Sequence, residues 1–273
     1  MIYDVKPLIG AMKLGLRDCI AQHGEPELDI VKTSDDFASK KYIGNKIKLS
    51  QEVGVNVRVI SPDSMKTSNA DGLIVQLPVG GYWDEDELVS RIPKDKDVDG
   101  FHLERLGEIM KTGKSYLEPC TARGIVQILK AFFNHELSGK NVVIINRSNI
   151  VGKPLAMMLL AEDMTVTICH SKTPFSTLLR HTREADVVVT AVGKPNFITR
   201  GMLKTGALVV DVGINRDENG KVCGDVGLNV IKSPDVWTTP VPGGVGQFTV
   251  LNLLYNTFLA MVKNDEKRKT NSH

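Results

Sequence analysis

Val142-Val143-Ile144-Ile145-Asn146-Arg147-Ser148-Asn149-Ile150-Val151-Gly152-Lys153-Pro154 runs from four apolar β-branched residues into a polar turn and then toward a proline. The apolar run reads as a buried strand, and the proline suits the first turn of a helix, where its missing N–H is not needed. A strand that turns directly into a helix is the place where doubly wound α/β folds bind a pyrophosphate. Unpaired backbone donors and the positive end of the helix dipole make phosphate the ligand such a turn takes. The run does not match Gly-Xaa-Gly-Xaa-Xaa-Gly, so an ordinary strand-to-helix turn is the competing account.

Downstream, Thr165 to Cys169, Asp186 to Val192 and Ala207 to Val212 read as three more strands. Helices at Pro154 to Glu162, Phe175 to Glu184 and Thr199 to Lys204 fill the connections, which predicts a parallel, doubly wound sheet with right-handed crossovers. Upstream, Leu28 to Lys32, Val55 to Ile60 and Gly72 to Leu77 are strands of a separate series. Asp35 to Glu52 is the helix between the first two, while Ser61 to Asp71 leaves room only for a compact crossover. Helices at Asp84 to Arg91 and within Leu103 to Lys111 follow. Pro119 marks a boundary, Thr121 is placed to cap a helix through Asn134, and an apolar helix spans Thr249 to Val262. The polar end, Lys263 to His273, reads as a fraying tail.

The 273 residues accommodate two α/β domains around a cleft, a parallel-sheet domain and a Rossmann-like one. The predicted boundaries are 1–120, completed by 249–273, and 121–248. The 34 basic and 32 acidic side chains leave a net charge of +2 and are dispersed, which argues against nucleic acid as a partner. Cys19, Cys120, Cys169 and Cys223 are too far apart for a zinc pattern and suggest no secreted disulfide framework, so no metal is expected. No signal-peptide core is visible in Met1 to Leu8, and no apolar run approaches bilayer length, so a cytoplasmic protein without a membrane partner is expected.

At the end of the second strand of the Rossmann-like series stands Cys169-His170-Ser171-Lys172-Thr173, where an NAD enzyme would commonly offer a carboxylate to the ribose hydroxyls. Ser171 can hydrogen-bond a 2′-phosphate and Arg147 can neutralise one, which favours NADP. Two exposed polar side chains are the plainer alternative.

Ser39, Tyr42 and Lys46 share one helix face, where a lysine desolvated by a cleft wall can act as a base near neutral pH. Lys40, Lys41 and Lys48 make this helix basic throughout, and spacing alone favours a solvated lysine. Gln76 closes a buried strand before Pro78, at the edge where α/β folds bind ligands. Either aspartate of Lys96-Asp97-Val98-Asp99-Gly100 can take the amino-pyrimidine of a pterin through paired hydrogen bonds, or serve the turn alone. Thr239-Pro240-Val241-Pro242-Gly243-Gly244-Val245-Gly246 lets backbone approach a planar ligand, or is merely an interdomain loop.

Together with Val75-Gln76-Leu77-Pro78, Pro119-Cys120-Thr121 and Asp211-Val212-Gly213-Ile214-Asn215, these segments resemble the bifunctional methylenetetrahydrofolate dehydrogenase/cyclohydrolase family from about Ser39 to Thr257. The resemblance implies Lys46 as general acid/base, Tyr42 orienting the folate, Gln76 assisting Lys46 and Asp99 anchoring the pterin. It further implies Leu77, Pro78, Pro242 and Gly243 as substrate neighbours, and Asn146, Arg147, Ser148, Ser171, Gly193 and Ile214 as NADP contacts. The implied activity oxidises 5,10-methylenetetrahydrofolate and hydrolyses the methenyl product to 10-formyltetrahydrofolate, in a homodimer. The rivals are a single-activity dehydrogenase and a non-catalytic folate or nucleotide binder. Asn146 stands where the family has glycine, and tolerance of positive φ is the expected reason that the turn survives. Ala122, Gly227 and Gln247-Phe248 also depart from the family pattern, and the crossover before Gly72 and the amino terminus are shorter than its norm.

Overall fold

Ile9, Leu16 and Ile20 form a buried stripe along α1 (Lys6–His23), a helix that the sequence reading leaves out. Gly10 and Gly15 interrupt its apolar pattern. The computed structural model describes residues 1–34 and 36–270.

After α1 come β1 (Glu27–Val31), α2 (Phe37–Val53), β2 (Asn56–Ile60) and β3 (Gly72–Val75), which make a three-stranded parallel sheet in the order β2-β1-β3. Every residue of β3 and the last four of β1 are buried, and the one acid among them, Asp29, accepts from Arg58 Nε at 2.8 Å and Ser68 Oγ at 2.6 Å. Asp36 caps α2 by accepting the Ser39 N–H at 2.9 Å, and Gly54 ends the helix at φ +89°. Asp35, the expected first residue of that helix, lies outside the described residues. The compact crossover between β2 and β3 is a 3-10 turn, Pro62–Thr67, whose Pro62 and Met65 are buried. Two further helices follow, α3 (Glu85–Ser90), capped by Asp84, and α4 (Leu103–Thr112).

The second sheet begins after α5 (Cys120–Phe132), in which Thr121 lies inside the helix and is not its cap. Its elements are β4 (Asn141–Ile145), α6 (Gly152–Leu160), β5 (Thr165–Cys169), α7 (Phe175–Glu184), β6 (Val187–Thr190) and β7 (Leu208–Asp211). A small antiparallel hairpin, β8 (Asn215–Arg216) and β9 (Val222–Cys223), precedes α8 (Leu228–Ile231) and β10 (Trp237–Thr238). The sheet is parallel with order β10-β7-β6-β4-β5, so the expected four strands gain β10 at one edge. The segment expected as a helix at Thr199 to Lys204 is only a 3-10 turn, Arg200–Met202. Leu203 and Met202 pack into the core there, and the chain returns at once to β7.

α9 (Val245–Thr270) closes the chain and continues well past Val262. Its polar end is held: Lys267 donates to Asp95 at 2.7 Å, and the Lys263 amine lies 4.2 Å from the centre of the Tyr116 ring. Contrary to the sequence reading, Val245–Lys267 is long and apolar enough to span a bilayer. Phe248, Leu251, Leu254, Phe258 and Met261 are buried in protein, which marks a core helix.

The chain divides into two compact units. One holds Gly10–Glu108, Ser115–Cys120 and Val250 onward, and contains β1 to β3; the other holds Met1–Ile9, Ile109–Lys114 and Thr121–Thr249, and contains β4 to β10.

Candidate active site

In the β1–β3 unit the third turn of α2 carries Lys46, whose amine donates a hydrogen bond to Gln76 Oε1 at 2.7 Å. Gln76 sits immediately beyond β3, where its N–H still bonds the Val31 carbonyl at 2.9 Å. Its own amide nitrogen donates to the Leu77 carbonyl at 2.5 Å, which turns the oxygen toward Lys46. Desolvation lowers the Lys46 pKa, while the nearby Asp99 and Cys120 oppose that shift. This lysine is therefore not the solvated surface residue that its spacing suggests. Tyr42 is half-buried one turn earlier on the same helix. Ser39 is buried, and its hydroxyl donates to Asp36 Oδ2 at 2.7 Å, so it serves the helix cap.

The two aspartates of the 96–100 turn divide their duties. Asp97 accepts the N–H groups of Gly100 at 3.2 Å and His102 at 2.6 Å, which is turn chemistry. Asp99 instead faces Lys46 and the Cys120 thiol, and desolvation pushes its carboxyl up to about 6 despite the lysine charge. Gly100 has φ +81°, and a Cβ there would stand 2.7 Å from Glu118 C and Pro119 N, so glycine alone lets the turn close on Pro119-Cys120.

Asn256 was not singled out from the sequence. Its amide donates to the carbonyls of Val98 and Glu118, each at 2.9 Å, and so ties the Asp99 turn to the segment before Cys120. The available signal was a pair of amides, Asn252 and Asn256, one turn apart in an apolar helix. Leu77 and Pro78 follow Gln76, and Pro78 is exposed. Pro242 and Gly243 are exposed on the loop before α9 and belong to the β4–β10 unit.

In that unit the strand order reverses between β4 and β6, which opens the crevice where doubly wound sheets bind ligands. Asn146 Nδ2 spans it, donating to the Ala191 carbonyl at 2.9 Å. Asn146 is not among the residues with positive φ; its side chain makes the turn instead. Asn146 Oδ1 accepts from Ser148 N at 2.8 Å, Ser148 Oγ at 2.7 Å and Gly152 N at 3.1 Å. The α6 terminus is accordingly not the open row of donors expected from the sequence. Val151 N–H goes to Ser148 Oγ, Lys153 N–H goes to the Ser148 carbonyl, and Pro154 has no N–H. The α6 dipole and the exposed Arg147 make this turn electropositive. Ser171, one residue beyond His170 at the β5 end, is also exposed. Gly193 (φ +73°) and the half-exposed apolar Ile214 occupy the loops that leave β6 and β7.

A switch-point crevice of this kind, in a chain that elsewhere holds a desolvated amine against an amide and a carboxyl, defines the class of nucleotide-cofactor enzymes. Comparison with known proteins makes this particular: the chain belongs to the tetrahydrofolate dehydrogenase/cyclohydrolase family, whose catalytic-domain model matches residues 4–99 and whose NAD(P)-binding-domain model matches residues 119–265. It is 44% identical over 246 residues to the bifunctional protein FolD of Bacillus subtilis, covering 85% of this chain and 86% of that one. The solved FolD methylenetetrahydrofolate dehydrogenase/cyclohydrolase of Campylobacter jejuni superposes with a TM-score of 0.88 at 36% identity, over 96% of this chain and 99% of the other. The Trypanosoma brucei FolD, solved with NADP and an inhibitor, gives 0.86 at 27% identity over 97% and 98%.

Proposed function

We propose that the chain carries a reduced folate through two successive reactions, oxidation of 5,10-methylenetetrahydrofolate with NADP and then hydrolysis of the methenyl product to 10-formyltetrahydrofolate, and that Lys46 is the proton-transfer group of the second. The observation that carries this reading is the Lys46 amine, lowered in pKa and 2.7 Å from Gln76 Oε1 beside Asp99. In the first step a hydride leaves the one-carbon bridge and the folate becomes a cation. NADP, when bound, accepts that hydride at its nicotinamide ring. In the second step a water oxygen bonds to the methenyl carbon, the bond from that carbon to N5 breaks, and one proton is released. The neutral amine takes the proton from the attacking water and the ammonium form returns one to the departing nitrogen. Gln76 holds the amine in place, Tyr42 orients the folate, and Asp99 anchors its amino-pyrimidine, with Leu77, Pro78, Pro242 and Gly243 as further neighbours of the substrate.

Arg147 and Ser171 favour NADP through its 2′-phosphate, and the exposed Arg147 at the β4–α6 turn supports that choice. Asn146 and Ser148 shape the turn, and Gly193 and Ile214 are further contacts of the cofactor. The folate chemistry is assigned to residues 1–120 with 249–273, and the cofactor to 121–248. The family resemblance also supports a cytoplasmic homodimer that supplies formyl groups to purine biosynthesis.

The test is an initial-rate assay with methylenetetrahydrofolate and NADP that follows formation and decay of the methenyl absorbance. Decay of added methenyltetrahydrofolate at the uncatalysed rate would leave a single-activity dehydrogenase. Lys46→Met is expected to lower cyclohydrolase turnover at least about a hundredfold, the usual range for a lost general acid/base, with the NADP Kd within about twofold. A comparable loss of NADP affinity contradicts the assignment.

A further inference from the structure

Asp225 is fully buried at the carboxyl edge of the second sheet, and no step of the proposed chemistry uses it. We propose that Asp225 is a positioning residue for the nicotinamide half of the cofactor, acting through the loops that leave β6 and β7. The inference rests on the dinucleotide reading of this sheet and goes one step further. It says which half of the ligand a particular carboxylate governs.

A dinucleotide lies across the switch point, with its adenosine ribose over the end of the second strand of the motif, here β5. The other half then lies over the ends of β6 and β7. Asp225 gathers those two ends. Its Oδ2 accepts from Thr190 Oγ1 at 2.9 Å and Val192 N at 2.7 Å, and its Oδ1 accepts from Lys194 N at 3.0 Å and Asn215 Nδ2 at 2.9 Å. The two backbone donors flank Gly193, so the orientation of that exposed glycine is fixed by one carboxylate. Asn215 follows Ile214 and fixes the second loop in the same way.

Asp211, at the end of β7, completes the device. Its carboxylate accepts from Gly213 N at 2.9 Å, Asp225 N at 3.0 Å and Val226 N at 3.0 Å, which anchors the segment carrying Asp225. A Cβ at Gly213 would overlap the Asp225 carboxylate, and one at Gly224 would overlap that of Asp211, so both glycines are needed for the carboxylates to reach these donors. The four groups that meet Asp225 are all neutral donors, and an amide in its place would set an NH2 group against one pair of them.

The experiment compares wild type with Asp225→Asn by titrating NADP and 2′,5′-ADP, a fragment that keeps the adenosine 2′-phosphate and lacks nicotinamide. The variant is expected to bind NADP about tenfold more weakly, the loss of one charge-assisted hydrogen bond, and to bind 2′,5′-ADP as wild type does within about twofold. Its kcat for hydride transfer should fall as well. Equal weakening of both ligands marks a general structural role and overturns the proposal, as does unchanged NADP binding. If Asp225→Asn does not fold, Thr190→Val removes one donor at similar volume and is read by the same ratio, with an expected NADP shift of about threefold. Wild-type protein that binds neither ligand overturns the dinucleotide reading itself, an outcome distinct from wild type and variant binding NADP alike.

Discussion

Asp99 places a titration within reach of neutral pH. Its carboxyl is pushed up to about 6, chiefly by desolvation, with the Lys46 charge opposing. Only the ionised form accepts two hydrogen bonds from an amino-pyrimidine, so folate affinity should rise with pH up to about 6 and level off above it. Below that point KM for methylenetetrahydrofolate is expected to climb by about tenfold per pH unit, the limit for one required ionisation. Asp99→Asn should bind more weakly and lose this dependence; a wild-type KM that is flat between pH 5 and 7 removes Asp99 as the anchor. The effect on stability has the opposite sign. A carboxyl whose folded pKa exceeds its ordinary 3.8 contributes most below that value and loses its contribution as pH rises through about 6. Tight folate binding and stability therefore draw on opposite protonation states of the same group.

At the scale of elements, the turn at Gly100 has the least tolerance. Gly100→Ala would force an L side chain to φ +81° and a Cβ to within 2.7 Å of the Glu118 and Pro119 backbone. A cost of at least about 2 kcal/mol is expected from the backbone conformation and the displaced segment together. Urea unfolding should show it as a lower midpoint at unchanged slope. Strands were legible because burial in a parallel sheet selects apolar runs, as in β3, β4, β6 and β7, and α2 was legible by its length and composition. What was not legible has a local cause each time. α1 hides behind Gly10 and Gly15, and a 3-10 turn replaces the helix expected at Thr199 to Lys204. The polar end of α9 is held by Asp95 and Tyr116, which no local pattern announces. Of the site, the residues on one helix face and at one strand end could be nominated by position. Lys46 could not be told from its neighbours Lys40, Lys41 and Lys48 by spacing, because the groups it meets, Gln76 and Asp99, lie far along the chain. Asn146 misleads in another way: its importance lies in a side chain that bonds Ser148, Gly152 and Ala191, and a rule about backbone φ does not see that.

For the whole molecule, the division into two compact units means that the Lys46–Gln76–Asp99 cluster and the turn between β4 and α6 are built from separate cores and can be perturbed separately. A ligand that binds only the folded state stabilises it in proportion to the logarithm of one plus the ratio of its free concentration to its Kd, by about 2.7 kcal/mol at a hundred times its Kd. NADP alone should therefore protect the β4–β7 strands in amide hydrogen exchange, and Lys46→Met should leave that protection intact. Arg147 is the discriminating position, since it is the exposed cation on the turn that leads into α6. If its guanidinium meets the 2′-phosphate, Arg147→Ala removes a charge-assisted contact that NAD does not make, and the NADP Kd should rise about tenfold or more. The NAD Kd should move by less than about threefold, because NAD lacks the 2′-phosphate while the α6 dipole favours the phosphates that both cofactors share. Parallel isothermal titrations of the two cofactors against wild type and variant measure the ratio directly. Equal losses would make Arg147 a general pyrophosphate contact and leave Ser171 to carry the choice between NADP and NAD.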